Sequence, residues 1–193
     1  MPFSFTQTAI PEVVVIEPRI LPDARGFFLE TYKRSEFAAH GIAGNFVQCN
    51  QSRSSRGILR GLHYQKHPKV QCKLVWTVLG EIYDVVVDLR RDGPTYGKWV
   101  GVTLTAENKK ILYVPGGCAH GFCVTSEEAQ VVYLTTEEYS PNHEAGVLWN
   151  DPDLAIQWPI AEPELSARDR NWPTLKLADN NFRYDRAAYG NDL

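Results

Sequence analysis

Between about residues 46 and 137, short runs of aliphatic, aromatic and β-branched residues alternate with turn residues almost without interruption. The turns carry Gly, Pro, Asn or Asp, as in Asp92-Gly93-Pro94. A βαβ fold would need a helix of about ten or more residues between successive strands, so this spacing favours an antiparallel sandwich or barrel. The predicted strands are 46–50, 58–65, 71–78, 81–89, 98–104, 111–114, 120–124 and 130–136.

The segment before this region is predicted to be partly extended, with turn residues at 22–26 and an extended pattern at 27–32. Apolar residues 13–16 predict one strand. Residues 35–40 predict a short helix, with Ser35 as its N-cap and Gly41 just past its end.

The segment after residue 140 is less regular. One or two further strands are predicted at 147–152 and 156–159, and the chain beyond Pro163 is polar and irregular. Because no repeat or linker divides the chain, residues 1–193 are expected to form a single domain, with residues from about 160 to 193 at its periphery.

Composition excludes several classes of partner. With 44% hydrophobic and 22% charged residues, the chain is typical of one well-buried domain. A net charge of −3 provides no global field for nucleic acid or an anionic membrane. No apolar run is long enough to span a bilayer, and the start lacks a signal-peptide pattern, so we expect a cytoplasmic protein.

The cysteines are too few for a disulfide scaffold in a chain of this length. Cys49, Cys72, Cys118 and Cys123 show no CxxC spacing. We interpret them as reduced, mostly buried thiols, and a zinc site is the less favoured interpretation.

The segment 57–65 places a cation, a base and an amide close together. His63 and Gln65 share one face of the predicted strand, because strand side chains alternate, and Arg60 lies three residues before His63. If that face is the interior of a barrel, a base faces a cavity. The alternative is that His63 is an ordinary interior histidine.

Other polar residues lie within apolar strands. The strand 81–89 does not alternate cleanly, which indicates that it is covered on both faces and buries at least one of Asp84 and Asp88. The alternative is that both carboxylates make structural hydrogen bonds at the strand ends. Lys73 either extends its ammonium into a cavity or keeps it at the surface. Tyr133 is either a core residue or a phenol at a cavity wall.

Several motifs resemble known families. The run Pro115-x-Gly-x-x-His120 resembles the second cupin motif. Together with the segments 25–30, 60–65, 113–122, 144–152 and 165–169, it makes the chain similar to the dTDP-4-dehydrorhamnose 3,5-epimerase family. The resemblance implies a cupin-type antiparallel jelly-roll β-barrel with a few short peripheral helices.

The resemblance also implies catalysis without a metal or other cofactor. Metal-binding cupins usually carry His-x-His in the first motif, whereas this chain has His63-Tyr64-Gln65. A site with so few strong ligands would hold a metal weakly.

The implied reaction inverts C3 and C5 of dTDP-4-dehydro-6-deoxyglucose through an enolate, giving dTDP-4-dehydrorhamnose. His63 matches the family's base and Asp169 the carboxylate that orients it. Lys73 matches the cation at the ketone oxygen, and Tyr133 the acid on the opposite face. From the residues alone, Asp84 is the alternative to Asp169.

Substrate contacts and a homodimer are implied in the same way. The matching substrate-binding positions are Arg25, Phe28, Glu30, Gln48, Asn50, Arg60, His120, Glu144 and Arg168. The segment from about 1 to 45 is implied to pack on a partner subunit. Cys49, Trp76 and Cys118 depart from the residues usual in the family.

Three alternatives remain open. One is an epimerase that acts at a single carbon of a related nucleotide-linked 4-keto sugar. The second is a metal-dependent cupin oxygenase, and the third is a sugar-binding cupin without catalysis. The partner in the favoured interpretation is a nucleotide sugar, not nucleic acid or a membrane.

Overall fold

The structure, a computed structural model that describes residues 2–185, consists almost entirely of antiparallel β-sheet. The first half of the chain contains β1 Phe3–Gln7, β2 Val14–Pro18, β3 Leu21–Asp23, β4 Gly26–Phe28, α1 Arg34–Ala39, β5 Gln48–Ser55, β6 Leu59–Gln65, β7 Lys73–Leu79 and β8 Glu81–Asp88. The second half contains β9 Trp99–Thr105, β10 Ile111–Val114, β11 Cys118–Val124, β12 Glu128–Thr135, β13 Glu144–Gly146 and two 3₁₀ helices, Asp169–Asn171 and Leu175–Leu177.

Two sheets face each other across the core. The first sheet has the strand order β1-β2-β10-β7-β12-β5, the second β13-β6-β11-β8-β9, and β3 and β4 form a separate hairpin. This arrangement confirms the predicted all-β jelly-roll architecture with short peripheral helices.

The interior changes character along the strands. On β7, side chains of one face pass from Lys73, which lines a cavity, to Val75 in the apolar core. On β12 the same change occurs between Tyr133 and Val131. One part of the interior is therefore filled by packed apolar side chains, and another part is an open cavity with polar walls.

Outer layers cover both sheets. The helix α1 places Phe37 against Phe3 and Ile16, over the outer face of the first sheet. The C-terminal segment places Phe182 against Tyr64, over the second sheet. The central strands are consequently buried on both faces, which explains why the sequence of β8 does not alternate.

Two local predictions are wrong. Lys33, in extended conformation, is the N-cap of α1 and makes no side-chain cap hydrogen bond, so Ser35 lies inside the first turn instead. The strands predicted at 147–152 and 156–159 do not form. There the Asp151 carboxylate accepts backbone N–H groups of Asp153 and Leu154, which stabilises a turn rather than a ladder.

The thiols are all free, but only half of them are buried. Cys118 and Cys123 are buried, Cys72 is partly buried and Cys49 is exposed. Within residues 2–185, no group of three or more His, Cys, Asp or Glu side chains is arranged to hold a metal ion. None of the helices in that range is long and apolar enough to cross a membrane.

Candidate active site

A cavity of about 410 Å³ opens between the two sheets, and its walls are mainly polar side chains. The second sheet contributes His63 and His120, and the first contributes Lys73 and Tyr133. The other predicted residues on its walls are Gln48, Asn50, Arg60, Glu144, Arg168 and Asp169.

His63 is held by a carboxylate from a distant part of the chain. Its Nε2 donates to Oδ1 of Asp169 at 2.6 Å, across a separation of 106 residues. Asp169 begins a 3₁₀ helix, and its backbone N–H donates to the Ser166 hydroxyl. Within the described chain, Nδ1 of His63 has no hydrogen-bond partner, so that nitrogen is available as a proton acceptor.

The environment of Asp169 favours its ionised form. Burial opposes ionisation, but hydrogen bonds from His63, the Gly61 backbone and Ser166 outweigh it and hold the pKa of Asp169 below its ordinary value. A carboxylate in that state can stabilise a positive charge on the imidazole.

A second imidazole and carboxylate lie beside the first pair. Nε2 of His120 is 2.9 Å from both carboxylate oxygens of Asp84, and His120 is opposite His63 in the register of β11 and β6. Asp84 and Asp88 are both fully buried, where the sequence predicted burial of at least one of them. Asp84 therefore pairs with His120, whereas the carboxylate that contacts His63 is Asp169.

The other buried carboxylate has a structural environment. Asp88 binds the guanidinium of Arg90 through two hydrogen bonds of 2.9 and 2.7 Å. It also accepts the Thr95 hydroxyl at 2.6 Å. This cluster lies outside the cavity walls.

Lys73 directs its side chain into the cavity, which is one of the two positions considered from the sequence. Burial lowers the pKa of Lys73 to about 8, and the negative charges of Asp84 and Glu144 partly oppose that shift. The ammonium is thus retained at neutral pH but releases its proton more readily than an exposed lysine.

Tyr133 combines both positions considered for it. Its ring packs against the apolar core, and its side chain lines the cavity. Burial raises the pKa of Tyr133, Glu144 adds to that shift and Arg60 opposes it. Among residues 2–185 its hydroxyl has no hydrogen-bond partner, so the protonated phenol can donate to a ligand bound in the cavity.

Polar groups form a network at the cavity mouth. Arg168 Nη1 donates to Glu144 Oε2 at 2.5 Å, and the Tyr139 hydroxyl donates to the same oxygen at 2.8 Å. Gln48 Nε2 donates to Asn50 Oδ1 at 2.8 Å, and the Tyr139 backbone N–H donates to the Gln48 amide oxygen. The network joins β5 to the segments that carry Glu144 and Arg168.

Arg60 is the remaining cation of the cavity wall. Its Nε donates to the Ser54 hydroxyl at 2.9 Å, which fixes one side of the guanidinium. With Lys73 and Arg168 it gives the cavity three cations suited to an anionic ligand.

Three predicted ligand residues are not brought to this cavity within one chain. Arg25 pairs with Asp23 at 2.6 Å in the exposed β3–β4 hairpin, and Phe28 of the same hairpin is 65% exposed. Glu30 follows the hairpin and does not line the cavity.

Several cavity residues were absent from the sequence prediction. They are Ser52, Gln71, Thr135, Tyr139 and Ser166. Alternation along β5 is a signal that would have found Ser52, because it continues the face of Gln48 and Asn50. Tyr139 lies in a loop, where no periodicity indicates its direction.

Comparisons with known proteins agree on one family. The family model described as dTDP-4-dehydrorhamnose 3,5-epimerase matches residues 7–177. The enzyme of that name from Shigella flexneri is 51% identical, over 90% of this chain and 96% of that protein. A dTDP-4-dehydrorhamnose 3-epimerase from Streptomyces niveus is 44% identical, over 85% of this chain and 79% of that protein.

A solved structure shares the fold closely. The dTDP-6-deoxy-D-glucose-3,5-epimerase from Legionella pneumophila, in complex with dTDP-4-keto-L-rhamnose, matches with a TM-score of 0.92 and 43% identity. The match covers 95% of this chain and 99% of the Legionella chain.

Proposed function

We propose that this chain, which belongs to the dTDP-4-dehydrorhamnose 3,5-epimerase family, inverts C3 and C5 of dTDP-4-dehydro-6-deoxyglucose. The product is dTDP-4-dehydrorhamnose. This proposal rests on the arrangement of side chains on two facing walls of the cavity. His63 and Asp169 form a hydrogen-bonded pair on one side, while Lys73 and Tyr133 line the other.

Proton abstraction is assigned to His63. C3 and C5 flank the ketone at C4, so the charge left by losing either hydrogen spreads onto the ketone oxygen. Nδ1 of His63 takes the proton, and the ionised Asp169 stabilises the resulting imidazolium through Nε2.

Lys73 stabilises the enolate. An ammonium fixed at the ketone oxygen favours the charge that develops there, and partial burial strengthens that interaction relative to water. Its pKa of about 8 keeps most of the lysine charged at neutral pH.

Tyr133 returns a proton from the opposite face. Its raised pKa means that the phenol is protonated before it donates. One base and one acid serve both carbons if, between the two events, the sugar shifts, His63 gives its proton to solvent and the Tyr133 phenolate takes one from solvent. Every step uses side chains of this protein, and the proposal includes no cofactor.

The remaining cavity residues bind the nucleotide sugar. Arg60 and Arg168 suit the diphosphate by charge and by the fork geometry of guanidinium. Gln48, Asn50, His120 and Glu144 supply hydrogen bonds around the sugar.

A homodimer completes each site in this proposal. Phe27 and Phe28 are 57% and 65% exposed, which is unusual for adjacent large apolar side chains. We assign the hairpin to a partner subunit, where Arg25, Phe28 and Glu30 would reach the neighbouring cavity. The cytoplasmic location expected from the sequence is part of the same proposal.

Deuterium incorporation tests the reaction. Incubation with dTDP-4-dehydro-6-deoxyglucose in heavy water, followed by proton NMR, should show deuterium at both C3 and C5. The 3-epimerase relative makes a single-position epimerase the second candidate, and that enzyme would incorporate one deuterium. Undiminished exchange in His63→Ala would exclude His63 as the base.

A further inference from the structure

We infer that Trp172 is a positioning residue for the base, holding the His63 imidazole in the orientation in which Nε2 stays on Asp169. This inference rests on the proposed function. Trp172 does not line the cavity, so it acts through His63 and not by touching substrate.

The first observation is the contact between the two rings. The centroids of His63 and Trp172 are 5.9 Å apart, with an angle of 75° between the planes, which is an edge-to-face arrangement. Trp172 directly follows the 3₁₀ helix that begins with Asp169. One short segment therefore supplies both the acceptor for Nε2 and a wall beside the ring.

The second observation is the space left for the indole. Gly146 lies opposite His63 in the register of β13 and β6. A Cβ on Gly146 would approach Cδ2 and Cε2 of Trp172 to 2.5 Å, closer than real Cβ contacts. The strand beside the base thus lacks a side chain at the position where the indole packs.

The segment is also anchored on its other side. The backbone N–H of Leu148 donates to the Pro173 carbonyl at 2.8 Å, just after Trp172. The indole is held between β13 and the His63 ring, and the rigid ring restricts rotation of the imidazole.

The third observation is an unsatisfied polar atom. Nε1 of Trp172 is buried and has no hydrogen-bond acceptor within residues 2–185. A buried unpaired N–H is destabilising, and a phenylalanine would avoid that penalty. The position is therefore not optimised for stability, which fits a residue whose role is to shape the neighbouring site.

Two substitutions separate positioning from packing. In Trp172→Ala the imidazole gains space to leave Asp169, so kcat should fall about tenfold while KM changes less than about twofold. Trp172→Phe keeps a ring beside His63 and removes the unpaired N–H. It should retain kcat within about threefold and melt at the same or a higher temperature than wild type.

The matched control is Trp158→Ala. Trp158 is also partly buried, lies away from the cavity and donates its Nε1 to the Trp149 carbonyl. Its loss should lower the melting temperature but leave kcat unchanged at a temperature where every variant is folded. Deuterium exchange, kcat, KM and thermal melting are measured on all four proteins.

The outcomes are distinguishable. Wild-type kcat in Trp172→Ala would overturn the inference, as would an equal loss of kcat in Trp172→Phe or in Trp158→Ala. If wild-type protein incorporates no deuterium, the proposed function fails and this inference fails with it. If wild-type protein incorporates deuterium but Trp172→Ala keeps its kcat, the inference about Trp172 fails and the proposed function stands.

Discussion

Two imidazoles line the cavity, each paired with a carboxylate, and the two pairs are built differently. His120 and Asp84 lie on the neighbouring strands β11 and β8, and the carboxylate engages Nε2 with both oxygens. His63 lies on β6, but its partner Asp169 comes from a 3₁₀ helix far along the chain and uses one oxygen.

The two pairs also differ in how exposed their imidazoles are to solvent. The side chain of His63 is 22% exposed, whereas that of His120 is 8% exposed. A pair formed within one sheet is fixed by the backbone ladder, while a pair between a strand and a peripheral segment depends on how that segment packs. The comparison indicates that the peripheral segment, more than the barrel, controls the accessible base.

The largest expected effect comes from removing each imidazole in turn. His63→Ala should lower kcat by about 10³-fold, because it removes the base. His120→Ala should keep kcat within about tenfold of wild type and mainly raise KM, since His120 binds substrate but takes no proton in the proposal. Steady-state kinetics of both variants measure the difference. Equal losses would mean that the two pairs share the catalytic role.

The next effect concerns the carboxylates. Asp169→Asn should lower kcat by about 10²-fold, because the amide no longer stabilises an imidazolium, while the protein stays folded. Asp84→Asn should mainly lower the melting temperature, by several degrees, because it disturbs a fully buried pair within the sheet. Thermal melting and kinetics on both variants provide the check. A greater loss of stability in the Asp169 variant would contradict the distinction between the pairs.

The same contrast explains what the sequence could predict. The strands between residues 46 and 137 follow from local alternation and turn residues, and the structure confirms all eight, although β5 runs to Ser55 and not only to residue 50. The neighbouring strands of Asp84 and His120 also carry a local signal, since a buried carboxylate demands a partner. That signal led to the wrong imidazole, because sequence alone does not give strand order.

The pairing of His63 with Asp169 had no local signal. Two residues 106 positions apart in different types of structure can be matched only through family resemblance or coordinates. The irregular segment that carries Asp169 and Trp172 lacks any period, so reasoning from alternation fails there for a physical reason. The wrong strands at 147–152 and 156–159 belong to the same irregular region.

Lys73 gives a pH-dependent prediction on the opposite wall. Burial lowers the pKa of Lys73 from its ordinary value to about 8, so its ammonium is lost as pH rises through 8. If the ammonium stabilises the enolate, kcat/KM should fall above pH 8, by about tenfold for each further pH unit. Lys73→Arg is the control, because guanidinium stays charged. The weaker activity of that variant should show no such fall above pH 8. If kcat/KM of that variant also falls above pH 8, the decrease comes from the titration of another group.

The smallest expected effect is at the mouth, where the peripheral segment meets the barrel. The Tyr139 hydroxyl donates to Glu144 Oε2, the oxygen that also accepts from Arg168, so it helps hold the segment that carries Asp169. Tyr139→Phe removes one partly exposed hydrogen bond and should raise KM by no more than about fivefold, with kcat unchanged. A clear fall in kcat would show that this bond also sets the position of Asp169. The orientation of His63 would then depend on contacts at the cavity mouth as well as on the 3₁₀ helix that carries Asp169.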